Sequence, residues 1–66
     1  LWISVENTPI GETVFRAERN GHSITIPLSY GIDLYQVAQL AERIFVRAEI
    51  GDLSLRDART EVLNSR

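Results

Sequence analysis

The sequence predicts an α+β domain in which a three-stranded antiparallel sheet is followed by a long and a short α-helix packed on one face. A strand-like alternation opens the chain, and an Asn-Gly pair joins two further strand-like runs. Two helix starts, at Asp33 and Ser54, then share one capping pattern. Because all strands precede both helices, the order is that of an α+β fold. With 66 residues, the chain is one small domain or an excised part of a larger one.

The first strand is predicted at Leu1–Val5, where side chains alternate and several are β-branched. Turn chemistry follows at residues 7–11, which contain a proline and a glycine. A fold of this size needs its large aromatic side chains, so we expect Phe15 and Trp2 in the core.

Two more strands, Thr13–Glu18 and His22–Pro27, form a predicted hairpin. A type I′ turn at the Asn-Gly pair would place Ala17 near Ile24 and align one apolar face across both strands. Pro27 ends the second strand because it has no N–H to donate. The three segments together form an antiparallel meander.

The second half of the chain contains two helices, predicted over 33–50 and 54–63. Asp33 and Ser54 can each accept a hydrogen bond from an amide of the first turn, and Gly51 is expected to supply the left-handed residue that ends the long helix. The short helix has too little apolar surface to be stable alone, so it must dock. The apolar residues of the long helix recur on one face. They are Leu34, Val37, Ala38, Ala41, Ile44, Phe45 and Ala48.

Composition restricts the classes of function. A net charge of −2 gives no general attraction to nucleic acid or anionic lipid. Without cysteine there is no disulfide or thiolate site. No apolar run reaches the roughly 18 residues of a membrane span. We expect a soluble piece, either cytoplasmic or at a membrane surface as part of a larger protein.

No residue pattern predicts an enzyme, a cofactor site or a metal site. His22 is the only histidine and lies beside the hairpin turn, without enough neighbouring ligands for a metal. No Gly-x-Ser-x-Gly elbow is present, and the four glycines are isolated rather than arranged as a phosphate loop. We therefore predict a non-catalytic domain.

Four side chains are candidates for contact with a partner: Tyr30, Tyr35, Arg43 and Arg47. The two tyrosines lie near the start of the long helix, and the two arginines lie on adjacent turns of one helix face. Tyrosine combines an apolar ring with a polar tip, and arginine can meet carboxylates or phosphates. Ordinary roles stay open as well, namely packing for the tyrosines and a solvated surface for the arginines.

Particular segments also carry a family resemblance: Ile3–Val5, Arg16, Gly31–Leu34, Gly51–Ala58 and Val62. In this order they resemble the soluble N-terminal domain of the threonine/serine exporter family. The helix that such domains place before the first strand is absent here, as is every transmembrane helix. The resemblance therefore implies the second half of an accessory domain, with a regulatory or assembly role and no transport residue.

The sheet followed by a helix, with the segment Glu49–Leu53, is also similar to the arm-binding domains of tyrosine recombinases. That resemblance implies a sheet laid in a DNA groove. Phosphate binding needs an excess of positive charge. The predicted strands and loops instead contain Arg16 and Arg19 against three glutamates, which disfavours DNA.

A third interpretation is a stand-alone partner-binding or dimerising module. In that case an open strand edge, either Leu1–Val5 or Thr13–Glu18, would add to another sheet. The partner is then a protein or a second copy of the chain.

Overall fold

The computed structural model describes residues 1–30 and 33–65, with Tyr30 described by its backbone alone, and has three strands followed by two α-helices. The strands are β1 (Trp2–Asn7), β2 (Thr13–Arg19) and β3 (His22–Pro27). They form an antiparallel sheet in the order β1-β2-β3. After a short 3₁₀ helix (Leu28–Tyr30) come α1 (Leu34–Gly51) and α2 (Leu55–Asn64). The predicted α+β fold is confirmed.

The hairpin turn sets the register of the sheet. Asn20 and Gly21 have φ of 54° and 82°, the two positive values that a type I′ turn requires. As predicted, Ala17 lies opposite Ile24, and on its other side it lies opposite Ile3 of β1. β2 is therefore paired on both sides. The prediction that Thr13–Glu18 offers an open edge is wrong, because the meander makes this segment the central strand.

Both predicted helix caps are present. Asp33 Oδ1 accepts a hydrogen bond from the Gln36 amide at 2.8 Å. Ser54 Oγ accepts one from the Asp57 amide at 3.1 Å. Each bond satisfies one of the amides that a helix start leaves without an internal partner.

The end of α1 differs from the prediction. Gly51 is still helical, and Asp52 is the left-handed residue, with φ 51° and ψ 44°. The Leu53 amide donates to the Ala48 carbonyl at 2.9 Å, and the Leu53 side chain packs on the core. Aspartate is one of the few residues that tolerates this conformation. Ending the helix one residue later thus places Leu53 against the core.

The core lies between the two helices and the β2–β3 part of the sheet. α1 packs against β2, β3 and α2, and α2 also packs against β3. The strands contribute four buried residues to the core: Phe15, Ala17, Ile24 and Ile26. The helices contribute the other eight: Val37, Leu40, Ala41, Ile44, Phe45, Ala58, Val62 and Leu63.

β1 lies outside the cover of the helices. Trp2 is 69% exposed, so the prediction that it shares the core with Phe15 is wrong. Trp2 occupies the face of β1 that alternates away from the helices. Val5, on the helix side, is still 59% exposed, and only Ile3 packs on the core. Leu34, predicted on the buried face of α1, is also exposed and is the first residue of that helix.

Candidate functional site

A groove runs along the outer side of α1 towards the end of α2. It has a volume of about 1050 Å³ and is open to solvent. We call it the α1 groove, and seven of its lining residues are used below. They are Leu1, Tyr35, Arg43, Val46, Arg47, Ile50 and Glu61.

The apolar part of the α1 groove follows from the helical repeat. Val46 is eleven residues after Tyr35 and four before Ile50, spacings close to three turns and one turn. The three side chains therefore share one side of α1. Tyr35 is 72% exposed and Ile50 is 78% exposed. The two ends of this row therefore face solvent.

The polar part of the groove joins α1 to α2. Arg47 Nε donates to Glu61 Oε1 at 2.8 Å, so one ion pair bridges the two helices. Arg43 also lines the groove, and none of the ion pairs among residues 1–30 and 33–65 involves it. A ligand carboxylate would find this guanidinium available, with the planar donor geometry that favours carboxylates.

The structure places three of the four predicted partner contacts in one groove. Tyr35, Arg43 and Arg47 all line it. Arg47 also has a structural partner in Glu61. The side chain of Tyr30 lies outside the described part of the chain.

Sequence reasoning missed Leu1, Val46 and Ile50 as parts of this surface. The spacing of Val46 and Ile50 from Tyr35 was a usable signal, since it defines a second, outward stripe on α1. Nothing in the sequence could place Leu1 there. Its position depends on how far the helices extend across the sheet.

The open face of the sheet has a different character. The Arg16 guanidinium lies between two carboxylates, 3.1 Å from Glu18 and 3.6 Å from Glu6. Ser4 Oγ also donates to Glu6 at 3.3 Å. Two carboxylates around one guanidinium make this cluster negative, whereas binding to a phosphate backbone needs an excess of positive charge.

Three features that would indicate other kinds of site are absent from the described residues. No cluster of three or more histidine, cysteine, aspartate or glutamate side chains could hold a metal ion there. The buried set contains no polar or charged side chain in those residues. Neither described α-helix is long and apolar enough to cross a membrane.

The family resemblances drawn from the sequence gain no independent support from known proteins. They continue to depend on the order of the elements and on the two capped helix starts. No family model, curated protein or solved structure matches this chain.

Proposed function

We propose that this chain is a non-catalytic interaction domain whose α1 groove binds an amphipathic helix of a protein partner. The observation that supports the proposal is the exposed row of Tyr35, Val46 and Ile50 on one side of α1. Apolar side chains exposed along one side of a helix are the kind of anchors that a helix-in-groove partner uses. These side chains lie on a capped helix that packs against the sheet, so the surface is held by a rigid element.

The dimensions of the groove favour a helix as the ligand. Ile50 is fifteen residues after Tyr35, which corresponds to about 22 Å along the helix axis. A partner helix of about four turns would match that length and present apolar anchors at three- and four-residue steps. Arg43, between the two ends, would meet an aspartate or glutamate on the edge of that helix.

The wider setting we propose is the soluble part of a threonine/serine exporter-like membrane protein. The order of three strands and two helices, with matched helix caps, supports this setting. The domain would then serve in assembly or regulation, and transport would take place elsewhere in the protein. The gene is expected to continue in frame into several apolar spans of roughly 18 or more residues. A gene that encodes no such spans would contradict this setting.

Site-specific crosslinking tests the groove itself. A photo-crosslinking residue in place of Val46, in the protein expressed in its native host, is expected to capture the partner. Ile10 is the matched control, because it is an exposed apolar residue in the loop between β1 and β2 and does not line the groove. Ile50→Asp should abolish capture at position 46 with little effect on folding, since Ile50 is exposed. Equal capture at position 10, or capture that survives Ile50→Asp, would contradict the proposal.

A further inference from the structure

The two outer strands of the sheet are protected unequally. On β3, the Arg59 Nε of α2 donates to the Thr25 carbonyl at 2.6 Å. Pro27, at the end of the same strand, has no N–H to offer. Native sheets use two such devices to block pairing with another chain. One is a side chain that covers the edge backbone, and the other is a proline in the edge strand.

Within residues 1–30 and 33–65, β1 has neither of these devices. It contains no proline or lysine and pairs with β2 without a bulge from Trp2 to Asn7. Its only charged side chain, Glu6, is already paired with Arg16. The rest of the strand is rich in the β-branched and aromatic residues that favour strand pairing.

The register identifies the backbone groups that β1 leaves open. A two-residue hairpin makes Arg19–His22 a hydrogen-bonded pair, and alternation makes Ala17–Ile24 the next one. Ala17 therefore directs its N–H and C=O towards β3. Ile3, opposite Ala17 on the other side, must direct its own groups away from the sheet. The same alternation directs the N–H and C=O of Val5 outward.

The open edge is complementary to itself. If a two-fold axis passes beside Ser4, then Ile3 of one copy lies opposite Val5 of the other, and the two residues can exchange both hydrogen bonds. Trp2 then lies opposite Glu6 of the second copy, beside the Arg16 guanidinium that Glu6 holds. An arginine over a tryptophan ring is a favourable contact. No like charges meet in this register.

We propose that β1 is a dimerisation edge, at which a second copy of this chain pairs antiparallel with β1 about a two-fold axis at Ser4. The product is a continuous six-stranded sheet. The exposed side chains of Trp2 and Val5 gain neighbours in the second copy. This interface is separate from the partner site proposed above, since it uses the backbone of β1 rather than the outer side of α1.

A disulfide trap tests the register. The chain has no cysteine, so Ser4→Cys introduces a single thiol. In the proposed dimer the two residues at position 4 form a non-hydrogen-bonded pair, with Cα atoms about 4.5 Å apart, which is within disulfide range. Thr25→Cys on the β3 edge is the matched control. We expect Ser4→Cys to form the covalent dimer at least tenfold faster than Thr25→Cys under mild oxidation. Equal rates would overturn the proposal.

Sedimentation velocity over a wide concentration range tests the edge without a covalent bond. The wild-type chain should shift from monomer to dimer as concentration rises. Val5→Pro removes an outward N–H while sparing the ladder with β2, and it should raise the dimer dissociation constant at least tenfold. Val5→Lys, which adds a charge to the edge, should do the same and serves if the proline variant does not fold.

Ser23→Pro is the matched control for these variants, because its N–H is on the outer edge of β3. It should dimerise like the wild-type chain, with circular dichroism confirming the fold. A wild-type chain that remains monomeric at every concentration would overturn the proposal and leave an extended peptide of another protein as the ligand of this edge. A dimer lost in Ser23→Pro but kept in Val5→Pro would overturn it as well.

Discussion

β1 and β3 are both six-residue edge strands of one sheet, but they differ in how far other elements pack against them. β3 has α2 against it, an arginine on its outer backbone and two buried isoleucines. β1 has only Ile3 against the core, and in the described part of the chain no side chain is bonded to its outer backbone. The difference indicates that β2, β3 and the helices supply most of the stability. β1 instead supplies the edge at which we propose that a second copy binds.

The largest effect on stability is expected when a buried side chain is lost from β2 or β3, the strands that the helices cover. Ile26 is fully buried, so Ile26→Ala should lower the free energy of unfolding by about 2–5 kcal/mol. That approaches the whole stability of a domain this small. Ile26→Val is the measurable variant, with an expected loss of about 0.5–1.5 kcal/mol in urea melts. Ile3→Val on β1 should lose less, because Ile3 is only half-buried. Equal losses would contradict the conclusion that β1 contributes less to the core than β3.

The next effect concerns the bond that protects β3. Arg59→Met keeps an unbranched side chain but removes the donor to Thr25, which should cost about 1 kcal/mol in urea melts. The exposed carbonyl should also make the β3 edge able to pair with another chain. The Val5→Pro background isolates that second effect, because its β1 edge is blocked. Sedimentation should then detect new self-association in the double variant. A double variant that stays monomeric and fully stable would contradict the protective role of Arg59.

The sequence predicted the three strands, the two α-helices and the hairpin register because those depend on local signals. Alternation, the Asn-Gly turn and the two caps each act within a few residues. The errors concern how elements are placed across the sheet. Trp2 was assigned to the core because of its size, but the helices lie over β2 and β3 instead of β1. No local sequence pattern indicates which strands the helices will cover.

For the candidate site, too, the sequence indicated individual residues but not how the fold brings them together. Tyr35, Arg43 and Arg47 could be named from the sequence because they are large or charged residues on one predicted helix. That they line one groove with Leu1 depends on the tertiary arrangement. Gly51 was named as the end of α1 on the general preference for glycine at that position. In the structure the left-handed residue is Asp52 instead, and the next residue, Leu53, packs on the core.

A smaller effect on stability is expected from the connection between α1 and α2, the two helices that pack over β2 and β3. Asp52→Gly should raise the free energy of unfolding by about 0.5 kcal/mol, since glycine adopts the left-handed backbone without the penalty of a Cβ. Asp52→Ala is the control and should instead lower it, because alanine bears that penalty fully. Thermal melts of the two variants beside the wild type provide the measurement. The opposite order, with alanine more stable than glycine, would contradict a left-handed requirement at this position.

The smallest expected effect belongs to one of the largest side chains. Trp2→Ser should change the free energy of unfolding by less than about 0.5 kcal/mol when measured on dilute monomer, because the ring is 69% exposed and outside the core cluster. A loss above about 1 kcal/mol would mean that β1 contributes to the core as β3 does. The same substitution should weaken the dimer, since the ring would lie against Glu6 and Arg16 of the second copy. If β1 is a dimerisation edge, Trp2 should contribute to the stability of the dimer but not to the free energy of unfolding of the monomer.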